Sequence, residues 1–592
     1  MKRKILALLL AATMAVSTRS VLSAGAAQTS SEGSQATSTE KSGDRLSHGD
    51  YEYEVLDDGT VSIEEYIGSE TEITIPDKID GKTVTKIGDQ AFIYRRSITG
   101  VIIPDSVTEI EWRAFEDCDS LASVKLGKSL QEIGFRAFNG CEALTNIEIP
   151  KSLSKMYYNS FNDCVSLESF IVDKDNNYFS SVDGVLYNKD KTTLIRCPQT
   201  KKSISVIDSV TKIDEGACYG CESLENILLP DKLTEIGKDA FNSCQSLEEI
   251  HIPESVAEVG HRVFFGTAWL DNYPDDLVIV GDGVLYKCRD DAEGEITIPK
   301  TVKKIVDEAF YRCTALESIT IPDSVTKIGF GAFSGCSALK SLIIPDSVTT
   351  LDYELTEDGI LTDCTSLVSV TIGNSVTTIP PCTFGNCTSL KNVTLGNSVG
   401  EIKEIAFYDC TSLESITLPN SVTSIGTRAF EDCTSLKSVY IPDSVTLIGE
   451  EAFFGCTSLA NVIGGAGVST IYDNSFAGTP VYENPSGDFI IAGDILVEYR
   501  GSEENVTIPE GVKSIPMYFK KDSPNSYSGG GSGLTVNDDL ELRSVILPES
   551  LKTIGQYAFA YCYSLGDITI PDSVTLIEED AFSGFRSRIF CT

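Results

Sequence analysis

The sequence predicts a β-rich repeat solenoid of 23-residue coils with short parallel strands, about 18 coils in all, interrupted by insertions. Residues 316–336, LESITIPDSVTKIGFGAFSGC, and residues 413–433, LESITLPNSVTSIGTRAFEDC, are nearly the same peptide. A phenylalanine, usually preceded by alanine, marks each coil, and nearly every step inside a group of coils is 23 residues. These landmarks are Phe92, Phe115, Phe138, Phe161, Phe241, Phe264, Phe310, Phe333, Phe384, Phe407, Phe430, Phe453, Phe476, Phe559 and Phe582.

Each coil reads locally as one strand followed by turns. In LESITI, Ile319 and Ile321 alternate with Thr320, which is typical of a strand with one buried face. Pro322 ends the strand because it has no N–H to donate. Val325 then points back inward with the landmark phenylalanine. No single coil buries this apolar stripe alone, so the coils must stack.

The motif LxxIxIPxSVxxIGxxAFxxC resembles the BspA-like, or treponemal-type, leucine-rich repeat of bacterial surface proteins. The resemblance covers about residues 50–585. It implies a leucine-rich-repeat fold and a surface or secreted adhesion protein. Relatives of this kind are thought to bind host matrix proteins such as fibronectin or fibrinogen, or other bacteria.

The N-terminus predicts export. Residues 1–26 combine basic Lys2, Arg3 and Lys4, an apolar run and an A-x-A site, which is typical of a signal peptide. The apolar run is too short to span a bilayer of about 30 Å. Residues 27–47 are rich in Ser, Thr and Gly and predict a flexible spacer. Residues 48–92 predict an N-terminal cap with the first coil, and residues 93–592 the solenoid.

The 23-residue spacing is interrupted at three places, which predicts insertions near residues 172–205, 268–298 and 480–540. The DGVLY segments in them suggest strand-turn-strand units. VDKDNN, at residues 172–177, has the acidic character of a calcium loop but lacks the Gly and the final Glu of an EF-hand, so we expect an ordinary turn. At the C-terminus, Phe585 replaces the expected cysteine, which suggests a truncated or frameshifted end.

Thirteen of the 18 cysteines lie three residues after the landmark position. Such a repeated cysteine predicts either disulfides, since adjacent strands are about 4.8 Å apart, or a ladder of buried thiols. We favour thiols, because side chains in a ladder all point the same way and Thr267 and Thr479 replace two of the cysteines. Only Cys218 and Cys221 have C-x-x-C spacing, so we predict no metal site.

Composition disfavours catalysis and nucleic-acid binding. The net charge of −40 repels phosphate backbones. The chain has three histidines, His48, His251 and His261, and neither a phosphate-binding loop motif nor a zinc-protease motif. We therefore predict no enzyme, no catalytic residues and no cofactor.

The fifth residue of LxxIxI lies between two buried residues and should face outward, and stacking turns this position into what we call the outward column. From its members we predict a ligand-binding set of Thr320, Ile343, Thr371, Thr394, Thr417 and Tyr440. Exposed apolar side chains there suggest contact with a protein or glycan, although β-branched residues also simply favour strands.

The resulting hypothesis is a secreted or surface-bound adhesin-like protein without an integral membrane segment after signal cleavage. Its ligand would be a host matrix protein, another extracellular protein, a glycan or another cell. The alternative hypothesis is a cell-envelope structural or self-associating protein.

Overall fold

The computed structural model describes residues 45–353, 358–472, 474–485, 487–518, 542–560, 562–584 and 586–591. The predicted signal peptide, most of the predicted spacer and Phe585 lie outside the described residues. The described parts of Thr18–Asp275 and Val280–Val284 form an N-terminal unit, and those of Asp276–Ile279 and Leu285–Thr592 form a C-terminal unit.

The predicted β-solenoid with parallel strands about 23 residues apart is confirmed. The described chain makes about 22 turns rather than the predicted 18 or so. The difference arises because the insertions also contribute strands to the stacks. Each regular coil supplies one strand to a long-strand row and one to a short-strand row.

The long-strand row consists of the LxxIxI segments, which pair in parallel with the equivalent segments of neighbouring coils. In the N-terminal unit its strands are Glu72–Thr74, Gly100–Ile102, Ser123–Lys125, Asn146–Ile149, Ser169–Val172, Ser203–Ser205, Asn226–Leu228 and Glu249–Ile250. In the C-terminal unit they are Glu293–Thr297, Ala315–Thr320, Ser341–Ile344, Ser369–Ile372, Asn392–Thr394, Ser415–Thr417, Ser438–Ile441, Asn461–Gly464, Asn505–Thr507, Ser544–Ile546, Ile568–Ile570 and Ile589–Cys591.

The short-strand row is formed mostly by the dipeptide before the turn that leads to the landmark phenylalanine. In the N-terminal unit its strands are Val61–Tyr66, Lys82–Ile87, Glu109–Ile110, Glu132–Ile133, Lys155–Met156, Thr193–Arg196, Lys212–Ile213, Glu235–Ile236 and Glu258–Val259. The others are Val284–Cys288, Lys304–Ile305, Lys327–Ile328, Thr350–Leu351, Thr378–Ile379, Glu401–Ile402, Ser424–Ile425, Leu447–Ile448, Thr470–Ile471, Ile495–Tyr499, Ser514–Ile515, Met517–Tyr518, Thr553–Ile554 and Leu576–Ile577.

The remaining elements lie outside the regular coils. They are the strands Leu46–His48, Tyr51–Val55, Lys78–Ile79, Phe179–Val182, Val185–Asn188, Leu277–Val280 and Phe489–Ala492 and the short helices Ala268–Asp271 and Pro480–Glu483. Leu46–His48, Tyr51–Val55 and Val61–Tyr66 form an antiparallel sheet that continues into the short-strand row. Thr267 and Thr479, which replace ladder cysteines, instead cap the two helices through their side-chain oxygens.

The first insertion starts a new sheet in the short-strand row, because the sheet of the preceding coils ends at Lys155–Met156. Phe179–Val182 pairs antiparallel with Val185–Asn188, which pairs antiparallel with Thr193–Arg196. Thr193–Arg196 then pairs in parallel with Lys212–Ile213 of the next coil. The antiparallel strands of the insertion therefore begin the sheet that the following coils continue. The third insertion follows the same plan, since Phe489–Ala492 pairs antiparallel with Ile495–Tyr499.

The VDKDNN segment is a turn held by its own side chains. The Asp175 N–H donates to Asp173 Oδ1 at 2.9 Å, and the Phe179 N–H donates to Asn176 Oδ1 at 2.8 Å. The buried Asn176 Nδ2 donates to the Pro150 carbonyl at 2.8 Å. This turn therefore anchors the start of the first insertion to the preceding coil.

The landmark phenylalanines stack on one another in the core. Phe407, Phe430 and Phe453 are fully buried, and their neighbouring ring centroids lie 5.0 and 5.2 Å apart with nearly parallel planes. Offset-stacked rings add roughly 0.5–1.5 kcal/mol per pair beyond the area that they bury. The repeated phenylalanine thus stabilises each coil against both of its neighbours.

The cysteines form a second internal column. None of the 18, all of which the structure describes, is joined in a disulfide; 16 are buried, Cys562 is half-buried and Cys591 is exposed. The Cys410 Sγ donates to the carbonyl of Phe384 at 3.2 Å, and Cys433 does the same to Phe407 at 3.2 Å. The ladder thiol thus satisfies a core carbonyl of the preceding coil.

Two positions in most of the regular coils adopt left-handed backbone conformations. One lies two residues before the landmark phenylalanine and the other one residue before the ladder cysteine. In one coil these are Arg428 and Asp432, both with φ of 55°. Asp, Asn and Gly tolerate this conformation, whereas most side chains are strained by it.

Candidate functional site

The outward column lies on the exposed face of the long-strand row, as its alternation requires. All six predicted residues are exposed. Four of them lie on one five-stranded sheet, where Ile343 is in register with Thr371, and Thr371 with Thr394. Thr320 lies on the neighbouring strand of the same sheet. Thr417 and Tyr440 are in register on the next sheet of the C-terminal unit.

Several column residues with large apolar side chains are exposed. Ile343 keeps 65% of its surface in solvent and Tyr440 keeps 42%. In the N-terminal unit, Ile171 and Leu228 are also exposed. Burying such side chains against a partner is worth roughly 1.5–3 kcal/mol for each side chain that becomes fully covered.

Sequence reasoning missed further members of the column. Ile463 is in register with Tyr440 and is 50% exposed. It was missed because Gly464 replaces the final apolar residue of the LxxIxI motif. Ile102 and Ile546 are exposed too, and their segments fit the motif closely enough to have been found.

An open groove of about 780 Å³ runs beside the column in the C-terminal unit. Ile343, Thr371 and Thr394 line one part of it, and turn residues after the strands line the other. These turn residues include Asp323, Asp346, Asn374 and Asn397. The groove therefore offers apolar, hydroxyl and amide or carboxylate groups side by side.

Two glycines explain why the turns stack closely here. Gly373 and Gly396 take the place of the proline that ends most of the long strands. A Cβ atom at Gly373 would lie 2.5 Å from the carbonyl oxygen of Pro345, and one at Gly396 would lie 2.2 Å from the carbonyl oxygen of Gly373. A larger residue would push the turns apart and change the groove.

A ladder of side chains connects successive turns along the groove. The Asn374 N–H donates to Asp346 Oδ1 at 2.7 Å, and the Asn397 N–H donates to Asn374 Oδ1 at 3.0 Å. These bonds fix the orientation of the polar side chains before any ligand arrives. Preorganised polar groups lower the entropic cost of binding.

The histidines take up different positions. His48 Nδ1 lies 2.8 Å from Asp80 Oδ1 at the surface of the N-terminal unit. His251 is an exposed member of the outward column. Within the described ranges, no group of three or more His, Cys, Asp or Glu side chains is arranged to hold a metal ion.

The family model described as BspA type leucine rich repeat region matches residues 65–192, 196–290, 278–356, 355–482 and 537–589. The chain therefore belongs to the BspA-type leucine-rich-repeat family. Proteins with such solenoids are typically non-enzymatic interaction scaffolds, and the BspA type is typically found at the cell surface or secreted.

Solved structures of bacterial leucine-rich-repeat proteins are similar to the chain. A protein from Bacteroides ovatus is 28% identical, with 70% of this chain and 94% of that chain covered and a TM-score of 0.30. A leucine rich cell surface protein from Faecalibacterium prausnitzii is 28% identical, with 71% and 94% covered and a TM-score of 0.28. The pneumococcal vaccine antigen PcpA is 19% identical, with 69% and 94% covered and a TM-score of 0.28.

No curated protein matches the chain at a significant level. Among the described residues, the helices are too short and too polar to span a bilayer.

Proposed function

We propose that this chain is an exported, non-catalytic binding protein that acts in an adhesin-like manner at or near the cell surface. In this proposal the outward column and the adjoining groove contact an extracellular protein or glycan. The signal-peptide pattern of residues 1–26 supports export. Membership of the BspA-type family supports a surface or secreted location.

The observation that carries the proposal is the exposed apolar content of the outward column. A solvated strand face has no need of Ile343, Tyr440 and Ile463, whose exposed surface would be covered by a partner. Tyrosine is also among the residues that contribute most to protein interfaces. Because the column repeats from coil to coil, many modest contacts with one extended ligand would add up.

Binding of residues 27–592 to immobilised fibronectin, fibrinogen, mucin and a glycan panel at physiological salt tests this function. We expect saturable binding to at least one of these ligands. The double variant Ile343→Ser with Tyr440→Ser should then bind at least about tenfold more weakly, since each loses an exposed apolar anchor.

The matched control is Phe454→Ser with Tyr563→Ser. These two side chains are 37% and 55% exposed in the same unit but lie outside the column. Their replacement should leave binding unchanged. Equal binding by both double variants would contradict a role for the column. Failure to bind any ligand, together with self-association in sedimentation and recovery in the cell-envelope fraction, would favour the structural alternative.

A further inference from the structure

The first insertion brings an additional cysteine against the core of the next coil. Cys197 directly follows strand Thr193–Arg196, and Cys218 occupies the phenylalanine position of the following coil. Their Sγ atoms lie 2.6 Å apart, and both side chains are fully buried. Covalently joined sulfur atoms lie about 2.04 Å apart, so a shift of roughly half an ångström would form a bond.

Contacts that do not involve sulfur hold the two segments side by side. The Cys197 N–H donates to the Ala217 carbonyl at 2.7 Å. The guanidinium of the buried Arg196 donates to the carbonyl oxygens of Gly216 and Tyr219. Neighbouring hydrogen-bonded strands lie about 4.8 Å apart, and a similar spacing of these two segments would lie within the Cα separation that a disulfide permits.

The sulfur of Cys218 differs from those of the neighbouring ladder cysteines. Cys164 donates to the carbonyl of Phe138 at 3.2 Å, and Cys244 donates to the carbonyl of Cys218 at 3.1 Å. Cys218 instead faces the sulfur of Cys197. The pair therefore combines two departures from the repeat at one place, a cysteine in an insertion and a cysteine in a phenylalanine position.

We propose that Cys197 and Cys218 form a disulfide that joins the first insertion to the coil that follows it. The two thiols together give up two protons and two electrons as the S–S bond forms. A disulfide oxidant, such as oxidised glutathione or the active disulfide of an oxidoreductase, accepts them and becomes two thiols. The proposal does not depend on the ligand-binding function.

The disulfide must form while the chain folds, before the two sulfur atoms are buried. In the folded chain, burial raises the pKa of the Cys197 thiol and both sulfurs are closed off from solvent. Oxidation must therefore take place before the coil closes, when a thiolate can still attack an oxidant. Once formed, the disulfide is protected from reductants.

The test uses the chain of residues 27–592, refolded with a mixture of reduced and oxidised glutathione. The protein is denatured without reductant in the presence of iodoacetamide, which alkylates free thiols. It is then digested with trypsin and analysed by mass spectrometry. We expect residues 197–201 to be unlabelled and joined to residues 213–232. Complete labelling of residues 197–201 in this wild-type sample would overturn the proposal.

Two variants identify the partner, because residues 213–232 contain both Cys218 and Cys221. Cys221→Ser should keep the cross-linked peptide, and Cys218→Ser should lose it. The reverse result would assign the bond to Cys221 and overturn the proposal. Since the wild-type labelling is decisive alone, poor folding of either variant does not prevent the test.

Discussion

Between Phe384 and Phe476, landmark rings stack in an unbroken series with centroid distances of 4.8–5.2 Å. At the first insertion the series stops at Phe161, which meets Phe170 edge-on at 5.7 Å. There the core is filled instead by the buried side chains of Arg196 and Tyr187 and by clustered cysteines. Strand pairing is interrupted there too, since one sheet ends at Lys155–Met156 and the next begins at Phe179–Val182. Buried apolar side chains nevertheless form one cluster from the preceding coils to Phe179 and Leu186. The comparison teaches that core packing bridges a local break in both the ring stack and the sheet.

The stack of coils from Phe384 to Phe476, called the regular series below, should differ most from the first insertion in its stability at alkaline pH. Burial raises the pKa of Cys387 and Cys410 above the usual value, and the pKa of Cys433 and Cys456 is raised as well. Above pH 9 or so these thiols ionise in the unfolded chain but stay protonated in the folded one. Stability is therefore retained below this pH and lost as the pH rises, by about 1.4 kcal/mol per thiol and pH unit.

Iodoacetamide labelling of each cysteine between pH 7.5 and 11 measures this opening. The proposed disulfide removes two titrating thiols from the first insertion. Thiols of the regular series should therefore become reactive at lower pH than those of the first insertion. Exposed Cys591 should react throughout and serves as the control. Labelling of the insertion thiols at a lower pH than the thiols of the regular series would contradict this prediction.

Removal of a stacked ring should be the next largest effect. Phe430→Ala deletes a side chain with stacked neighbours on both sides, so the free energy of unfolding should fall by about 3–5 kcal/mol. Phe161→Ala loses one stacked and one edge-on neighbour and should cost less. Guanidinium unfolding followed by circular dichroism gives both values. An equal or larger loss for Phe161→Ala would show that the insertion is not the more adaptable region.

The buried Arg196 should stabilise the first insertion through its hydrogen bonds to backbone carbonyl oxygens. Arg196→Met removes a donor from the carbonyl oxygens of Gly216, Tyr219 and Phe161. Gly216 and Tyr219 keep the Tyr219 N–H and the Gln199 side-chain amide as donors, so the cost should lie at the lower end of about 1–3 kcal/mol. Hydrogen–deuterium exchange of residues 213–221 should rise. Arg428→Met, in the regular series, should have a smaller effect, because the Arg428 side chain is 21% exposed and its partners are carboxylates that reach water. Unchanged exchange in Arg196→Met would contradict this role.

The smallest effect concerns a partly buried carboxyl group in the regular series. Burial raises the pKa of Glu431 to about 7, although Arg428 Nε lies 3.7 Å away and acts in the opposite direction. The folded chain therefore holds this proton, and its stability falls as the pH rises from about 4.5 to 7.

Glu431→Gln should accordingly raise the free energy of unfolding at pH 8, by about 1 kcal/mol or less, and should have no such effect at pH 5. Chemical denaturation at the two pH values measures the difference. Glu451→Gln is the control, since it removes an ion pair with Arg428 and should lower stability at pH 8. A gain for Glu431→Gln at pH 5 alone would refute the titration argument.

The repeat allowed much of this structure to be predicted. Periodicity was enough to place the core phenylalanines, the thiol ladder and the outward face of Ile343 and Tyr440, because each follows from its position within a coil. Ile463 escaped the motif because Gly464 interrupted it.

Other features depend on contacts between coils that no local pattern records. The close approach of the turns that line the groove depends on Gly373, where a Cβ atom would lie 2.5 Å from the Pro345 carbonyl oxygen. A charged residue in an insertion strand would be expected in solvent, yet Arg196 is buried because carbonyl groups of the next coil face it.

The paired left-handed positions restrict how the gene can change in length. Gain or loss of one whole coil joins equivalent residues, so Asp432 would be replaced by its counterpart Asp409, which has φ of 57°. Any other change in length would force residues suited to strands into these kinks, at about 1–2 kcal/mol each. Duplication and deletion should therefore be tolerated mainly in units of a coil. Each such event would lengthen or shorten the outward column by one rung and leave the rest of the protein intact.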